Sequence, residues 1–185
     1  MEEVKILSTS YISEHRYFRA KKDSYQTSSG KIVDPYFFVE IPRSVVAMAL
    51  TENNEVVLVE QYRHPVQQTL MELPGGFIDD NEEITDAVKR ELMEETGYEF
   101  SEVHFLGVTS GNPGVLNNYT DMFLLTGGKK VGEQHLDPNE EIQIHLKSID
   151  EVRQMLKDNK ILQSMHALCL FYGFAKLDEL QTDFH

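Results

Sequence analysis

Apolar positions follow three rhythms along this chain. Up to about residue 42 they come in short, loosely alternating runs, at residues 4–7, 17–21, 31–33 and 35–41, with the turn cluster Thr27-Ser28-Ser29-Gly30 between two of them. That pattern predicts antiparallel strands. The apolar positions here are too few to close a separate core, so residues 1–43 are expected to form a small β subdomain that leans on the rest of the chain or on a second copy. The second rhythm is a pair of near-continuous apolar runs, residues 44–50 and 56–63, joined by Thr51-Glu52-Asn53-Asn54. Such runs predict strands covered on both faces, and the polar link predicts a hairpin. Shorter strands are expected over residues 68–73, 103–108, 119–125 and 142–146. The third rhythm is helical. It covers the stretch after Asp80, a segment capped by Ser148 or Asp150 and running to about residue 157, and residues 162–177, which are apolar around much of the helix and predict a buried one. Strands flanked by helices make residues 44–185 a mixed sheet between helical layers, an α/β (α+β) class.

The first of those helices carries the chemistry. Asp79, Asp80 and Asn81 offer N-cap oxygens, and Glu83 follows Asp80 at capping-box spacing. Gly97 supplies the left-handed stop. Projected at about 100° per residue, Ile84, Val88 and Leu92 form one stripe, with Ala87 beside it. Glu91 and Glu95 fall on the same stripe and Glu94 at its edge, while Asp86, Lys89, Arg90 and Met93 point away. An ordinary Glu-rich helix keeps its acids in solvent. Here the apolar stripe turns acidic without changing direction, so the carboxylates face the protein. Like charges at this spacing cost about 0.2–0.5 kcal/mol, and burying unpaired carboxylates costs far more. A divalent cation removes both penalties, and oxygen-only ligands suit Mg²⁺, Mn²⁺ or Ca²⁺.

Length and composition narrow the class. A chain of 185 residues, 41% hydrophobic and 26% charged, suits a globular domain that needs no staples. The net charge of −14 argues against a nucleic-acid partner. It leaves room for a small metal-chelated anion, because bound cations reverse the local field. Cys169 is the single cysteine, which excludes an internal disulfide framework and fits a reducing, cytoplasmic compartment. Its apolar helical setting makes it a core residue, and no G-x-S-x-G motif offers another nucleophile. No apolar run approaches the roughly 18 residues of a membrane span, and no secretory leader pattern opens the sequence. An acidic Ca²⁺ buffer would need a D-x-[DN]-x-[DN]-G loop, which is missing.

Gly76, Glu82, Arg90-Glu91-Leu92, Glu94-Glu95, Gly97 and Tyr98 resemble the Nudix box at all nine of its defined positions across 23 residues. The resemblance covers roughly residues 44–175 and implies an α/β/α sandwich that hydrolyses a diphosphate joined to a second moiety. It also implies Mg²⁺, with Mn²⁺ able to substitute. By position Glu91 and Glu95 are the principal metal ligands, and Glu94 is a ligand or a partner behind them. The backbone carbonyl of Gly75 or Gly76 reaches the metal, and Glu82 and Arg90 fix the loop-to-helix geometry through hydrogen bonds.

Features outside the box narrow the substrate. Glu60-Gln61-Tyr62-Arg63 followed by Glu72-Leu73-Pro74-Gly75-Gly76 resembles a pattern of nucleoside-diphosphate-sugar hydrolases, and Pro113, sixteen residues past Gly97, resembles the proline of ADP-ribose pyrophosphatases. Asn112-Pro113-Gly114 replaces the more usual Ser-Pro-Gly. The resemblance favours ADP-ribose over GDP-mannose-type sugars, and the N-terminal β region resembles the subdomain with which that branch builds homodimers. Arg63, whose planar guanidinium suits phosphate, Arg43, Glu72, Pro113, Tyr17, Tyr36 and Phe37 are the candidates to contact substrate. The acidic loop Asp137-Pro138-Asn139-Glu140-Glu141 resembles the family's catalytic loop. Metal ligands already commit their lone pairs, so a separate carboxylate is wanted for the water's proton; Glu140 is placed ahead of Glu141, with Glu94 and Arg90 completing the catalytic set. Two other readings stand beside this one: a housecleaning pyrophosphatase for nucleoside triphosphates, and a nucleotide-sugar sensor without catalysis.

Overall fold

A computed structural model describes residues 3–15 and 18–182, and the chain divides into two compact units, Met1–Pro42 with Ser110–Tyr119 and Arg43–Thr109 with Thr120–His185. In the first unit β1 (Lys5–His15), β2 (Phe18–Gln26) and β3 (Ile32–Glu40) form an antiparallel sheet in sequence order. Its strands bury only Ala20 and Ser24, so it has no core of its own, as its sparse apolar pattern predicts. The segment from Ser110 to Tyr119 runs along β3. The Val39 N–H donates to the Val115 carbonyl at 2.7 Å, and the Ile41 N–H donates to Asn117 Oδ1 at 3.1 Å.

The second unit holds β4 (Ser44–Thr51), β5 (Glu55–Arg63), β6 (Gln68–Glu72), β7 (Tyr98–Glu99), β8 (Glu102–Thr109), β9 (Thr120–Lys130) and β10 (Ile142–Ser148) in one seven-stranded sheet. Its spine runs β10-β5-β4-β9-β7, with β6 on β5 and β8 on β9. β4 and β9 are parallel and the other pairs antiparallel. Alternation explains the continuous apolar runs. From β4, Val45, Ala47 and Ala49 face α1 (Ile84–Thr96), meeting Ala87, Val88 and Leu92, whereas Val46, Met48 and Leu50 face α2 (Ile149–Lys157) and α3 (Ser164–Thr182). Each strand therefore serves two cores, and each fully buried aliphatic side chain contributes about 1.5–3 kcal/mol.

Three expectations about the helices resolve here. Ser148 is the cap of α2, in a full capping box with Glu151. Cys169 is buried against the carbonyls of Val46 and Phe123, and burial pushes its thiol up to about 12, which suits a core residue. The last helix is not buried all round. Cys169, Leu170, Phe174 and Leu177 face the sheet, but Phe171 is 63% exposed, because an outer-layer helix meets the sheet along one side only. Among the described residues no helix is long and apolar enough to cross a membrane.

Candidate active site

The chain leaving β6 is laid against the start of β4. The Ala47 N–H donates to the Pro74 carbonyl at 3.1 Å and the Val45 N–H to the Gly76 carbonyl at 2.9 Å. At Gly75, with φ of 150°, a Cβ would strike the Val45 backbone, so only glycine passes there. A Cβ on Gly76 would collide with the Glu91 carboxylate. One turn on, Glu95 Oε2 accepts the Gly75 N–H at 2.9 Å. Both acids of the inward stripe thus converge on two glycines, as the 3.6-residue period of α1 requires.

The start of α1 departs from the sequence reading. The expected Asp80–Glu83 capping box is not formed: Glu83 is the N-cap and makes no side-chain cap bond. Asn81 takes a positive φ of 65°, and Glu82 turns back to accept the Asp79 N–H at 3.0 Å. Arg90, projected to point away from the protein, reaches along the helix instead. It donates to both Glu82 oxygens at 2.8 and 2.9 Å, to the Phe77 carbonyl at 3.0 Å, and to Glu91 and Glu94 at 2.9 Å each. Its long stem lets the cation answer a cluster of carboxylates that its Cα direction does not face. The Arg90 guanidinium holds Glu82 down to about 2.

Glu91 is pushed up to about 7 and Glu95 to about 8, in both cases first by burial, with nearby acids including Glu140 adding and Arg90 or the Gly75 N–H opposing. Among the described residues no three Asp, Glu, His or Cys side chains gather as a ready metal cage, because Arg90 holds Glu91 and Glu94 while Gly75 holds Glu95. The donor set still fits a hard divalent ion. Two desolvated carboxylates lie against backbone with no side chain in between, and all the donors are oxygen. Of the two candidate carbonyls Gly76 is engaged by Val45, which favours Gly75.

These raised carboxyls carry a sign. The folded chain holds their protons more tightly than the unfolded one, so their contribution is fully present below the unfolded carboxyl range and is lost as pH rises through about 7 and about 8. In chelator, denaturation between about pH 7 and about pH 9 is expected to show a stability loss of roughly 1–2 kcal/mol from Glu95. Glu95→Gln should flatten that slope; an unchanged slope would remove Glu95 as its source.

The two arginines expected to bind substrate are already paired. Arg63 donates to both oxygens of Glu72 at 2.6–3.2 Å, and the Glu72 side chain is only 1% exposed. Arg43 grips the fully buried Asp121 through two bonds of 2.5 and 2.7 Å. Arg63 therefore has a structural task whether or not it also meets substrate. Arg63→Ala strands a buried carboxylate and should cost about 3–5 kcal/mol of stability, seen as a lowered melting temperature. A melting curve equal to wild type would show that Glu72 finds another partner.

Glu140 is half-buried on a turn, accepting the Asp137 N–H at 3.1 Å while its own N–H donates to the Asp137 carbonyl at 2.9 Å. Its charge acts on Arg63, Glu91 and Glu95, whereas Glu141 is exposed just before β10. Tyr36, Phe37 and Pro113 belong to the first unit, where the Tyr36 hydroxyl donates to the Gly114 carbonyl at 2.7 Å; Tyr17 lies outside the described residues. Sequence reasoning missed three groups. His166, buried and held as a neutral ring at about 3, accepts the Leu73 N–H at 3.0 Å. Lys130 and Gln134 meet the C-terminal carbonyls of α1.

Comparison with known proteins agrees with this geometry. Residues 40–168 match the family model of the NUDIX domain. The chain is 29% identical over 171 residues to the methanol dehydrogenase activator of Bacillus methanolicus, covering 92% of each chain. It is 24% identical over 162 residues to an ADP-ribose pyrophosphatase of Bacillus subtilis, covering 80% of this chain and 88% of that one. Among solved structures, that of an ADP compounds hydrolase superposes with a TM-score of 0.85 over 97% of each chain at 18% identity, a likeness of fold. With its box residues, its sheet and this match over most of its length, the chain belongs to the Nudix family of hydrolases.

Proposed function

We propose that the protein hydrolyses the diphosphate bond of nucleoside diphosphate sugars with Mg²⁺, Mn²⁺ substituting, and that ADP-ribose is preferred over GDP-mannose-type sugars. The observation that carries this reading is the pair of desolvated carboxylates, Glu91 and Glu95, brought onto Gly75 and Gly76. The similarity to the Bacillus subtilis ADP-ribose pyrophosphatase supports the choice of sugar nucleotide.

Glu91, Glu95 and the Gly75 carbonyl would hold the divalent ion, with Glu94 joining once released by Arg90. When bound, such an ion neutralises diphosphate oxygens and makes water more acidic. The chain's own residues then have defined tasks. Glu140 accepts a proton from water, whose oxygen bonds to one phosphorus as the bridging P–O bond breaks. One water is consumed, and ADP-ribose yields AMP and ribose 5-phosphate. Glu82 and Arg90 keep the loop fixed to the helix while this happens.

A substrate panel with Mg²⁺ and product identification tests the proposal. AMP with ribose 5-phosphate supports it, pyrophosphate released from nucleoside triphosphates would replace it with housecleaning, and binding without turnover would make the protein a sensor. A second reading follows from the Bacillus methanolicus relative, which shares nearly its whole length with this chain and is named as an activator of methanol dehydrogenase. It predicts that the protein raises the rate of an alcohol dehydrogenase in a coupled assay. We also place a homodimer contact on the first unit, where Ile6 and Ile12 are 63% and 61% exposed on β1; a sedimentation mass of one 21.3 kDa chain would reject it.

A further inference from the structure

We infer that Gln134 is a positioning residue for the Glu140 carboxylate, tying the end of the metal-site helix to the strand that follows the catalytic loop. The inference rests on the reading of Glu140 as the base. The last turn of a helix leaves four carbonyls without intrahelical partners. In α1 each of them is met. The Gly97 N–H donates to Met93, the His135 N–H to Glu94, Gln134 Nε2 to Glu95 at 2.7 Å, and Lys130 Nζ to Thr96 at 3.0 Å. Gln134 does more than cap. The same amide nitrogen donates to the Ile142 carbonyl at 3.2 Å, and an NH₂ group carries two protons, so both bonds form together.

Between Gln134 and Ile142 lies the turn that carries Glu140. One side chain therefore closes the foot of this loop, joining the backbone of Glu95 to the first residue of β10. Neither anchor depends on it alone. Ile142 stays paired with Gln61 in β5, and α1 keeps its three other terminal partners. Losing the clamp should leave the fold and the acids of α1 in place and free the loop between them. A general base must stay within hydrogen-bond reach of its water, and a misplacement of about 1 Å costs on the order of 10²-fold.

Gln134→Leu, close in size but without donors, is therefore expected to lower kcat for ADP-ribose by about 10- to 100-fold with KM nearly unchanged. Gln134→Asn, which keeps the amide but is too short to span both carbonyls, should show the same split if the leucine variant folds poorly. Gln134→Lys, which restores N–H donors, should recover part of the rate. In a Glu140→Gln background, Gln134→Leu should cost little more, since the group it positions is gone. Wild-type kcat in both the leucine and asparagine variants, beside a dead Glu140→Gln enzyme, overturns the role of Gln134. A full additional loss in the Glu140→Gln background also overturns it, because Gln134 would then act elsewhere. Normal turnover by Glu140→Gln itself overturns the assignment of the base.

Discussion

Glu95→Gln is expected to keep a folded protein and lose turnover by about 10²-fold or more, the scale on which a single preorganised charge-stabilising group acts. The substitution is nearly isosteric, and its amide oxygen can still accept the Gly75 N–H that Glu95 accepts at 2.9 Å. What it removes is a buried charge that water does not solvate. The same variant should gain stability in chelator above neutral pH, since Glu95 is held well above the ordinary carboxyl range by burial. Rising stability with falling activity is the mark of a group kept for chemistry. Met93→Gln, one residue before Glu94 on α1 and outside the converging acids, should change turnover little. Equal rates for Glu95→Gln and wild type at saturating Mg²⁺ would end the metal assignment.

The second large effect belongs to Glu140→Gln, expected to lower kcat by about 10²–10⁴-fold while leaving substrate affinity near wild type. Glu140 combines two properties the base needs. It is half-buried, and its field reaches both acids of α1 and Arg63. Its local turn also survives the change, because the backbone bond from the Glu140 N–H to Asp137 does not involve the carboxylate. Glu141→Gln, exposed, should remain active. If instead Glu141→Gln is dead and Glu140→Gln turns over normally, the base is one residue further along.

The inward placement of Glu91 and Glu95 could be read from sequence because one period sets the packing face of α1. A stripe that begins with Ile84 and Val88 cannot turn away at Glu91 without unwinding the helix. The hairpin of β4 and β5 was legible for a similar reason: polar Thr51-Glu52-Asn53-Asn54 interrupts apolar runs that only a doubly covered strand can use. The projection points Arg90 outward because it records Cα directions and ignores the reach of a long side chain, whereas the box resemblance pairs it with Glu82, as the structure does. Sequence offers Arg63 and Arg43 as substrate contacts without showing that Glu72 and Asp121 already hold them. Asp121 lies 78 residues from Arg43 and His166 lies 93 residues from Leu73, and Gln134 reaches Glu95 across 39 residues. Contacts at such separations depend on the order of strands in the sheet, which no local pattern encodes.

Arg90 has one more consequence. With its guanidinium on Glu82, Glu91 and Glu94 at once, the protein carries an internal counter-ion at the place proposed for an external one. The acidic end of α1 is therefore not left to self-repulsion. On the proposed site, taking up a divalent ion would exchange one positive partner of Glu91 and Glu94 for another, while Glu82 would keep its hold on Arg90. A resident cation of this kind would let the proposed site stand empty without leaving its acids unpaired.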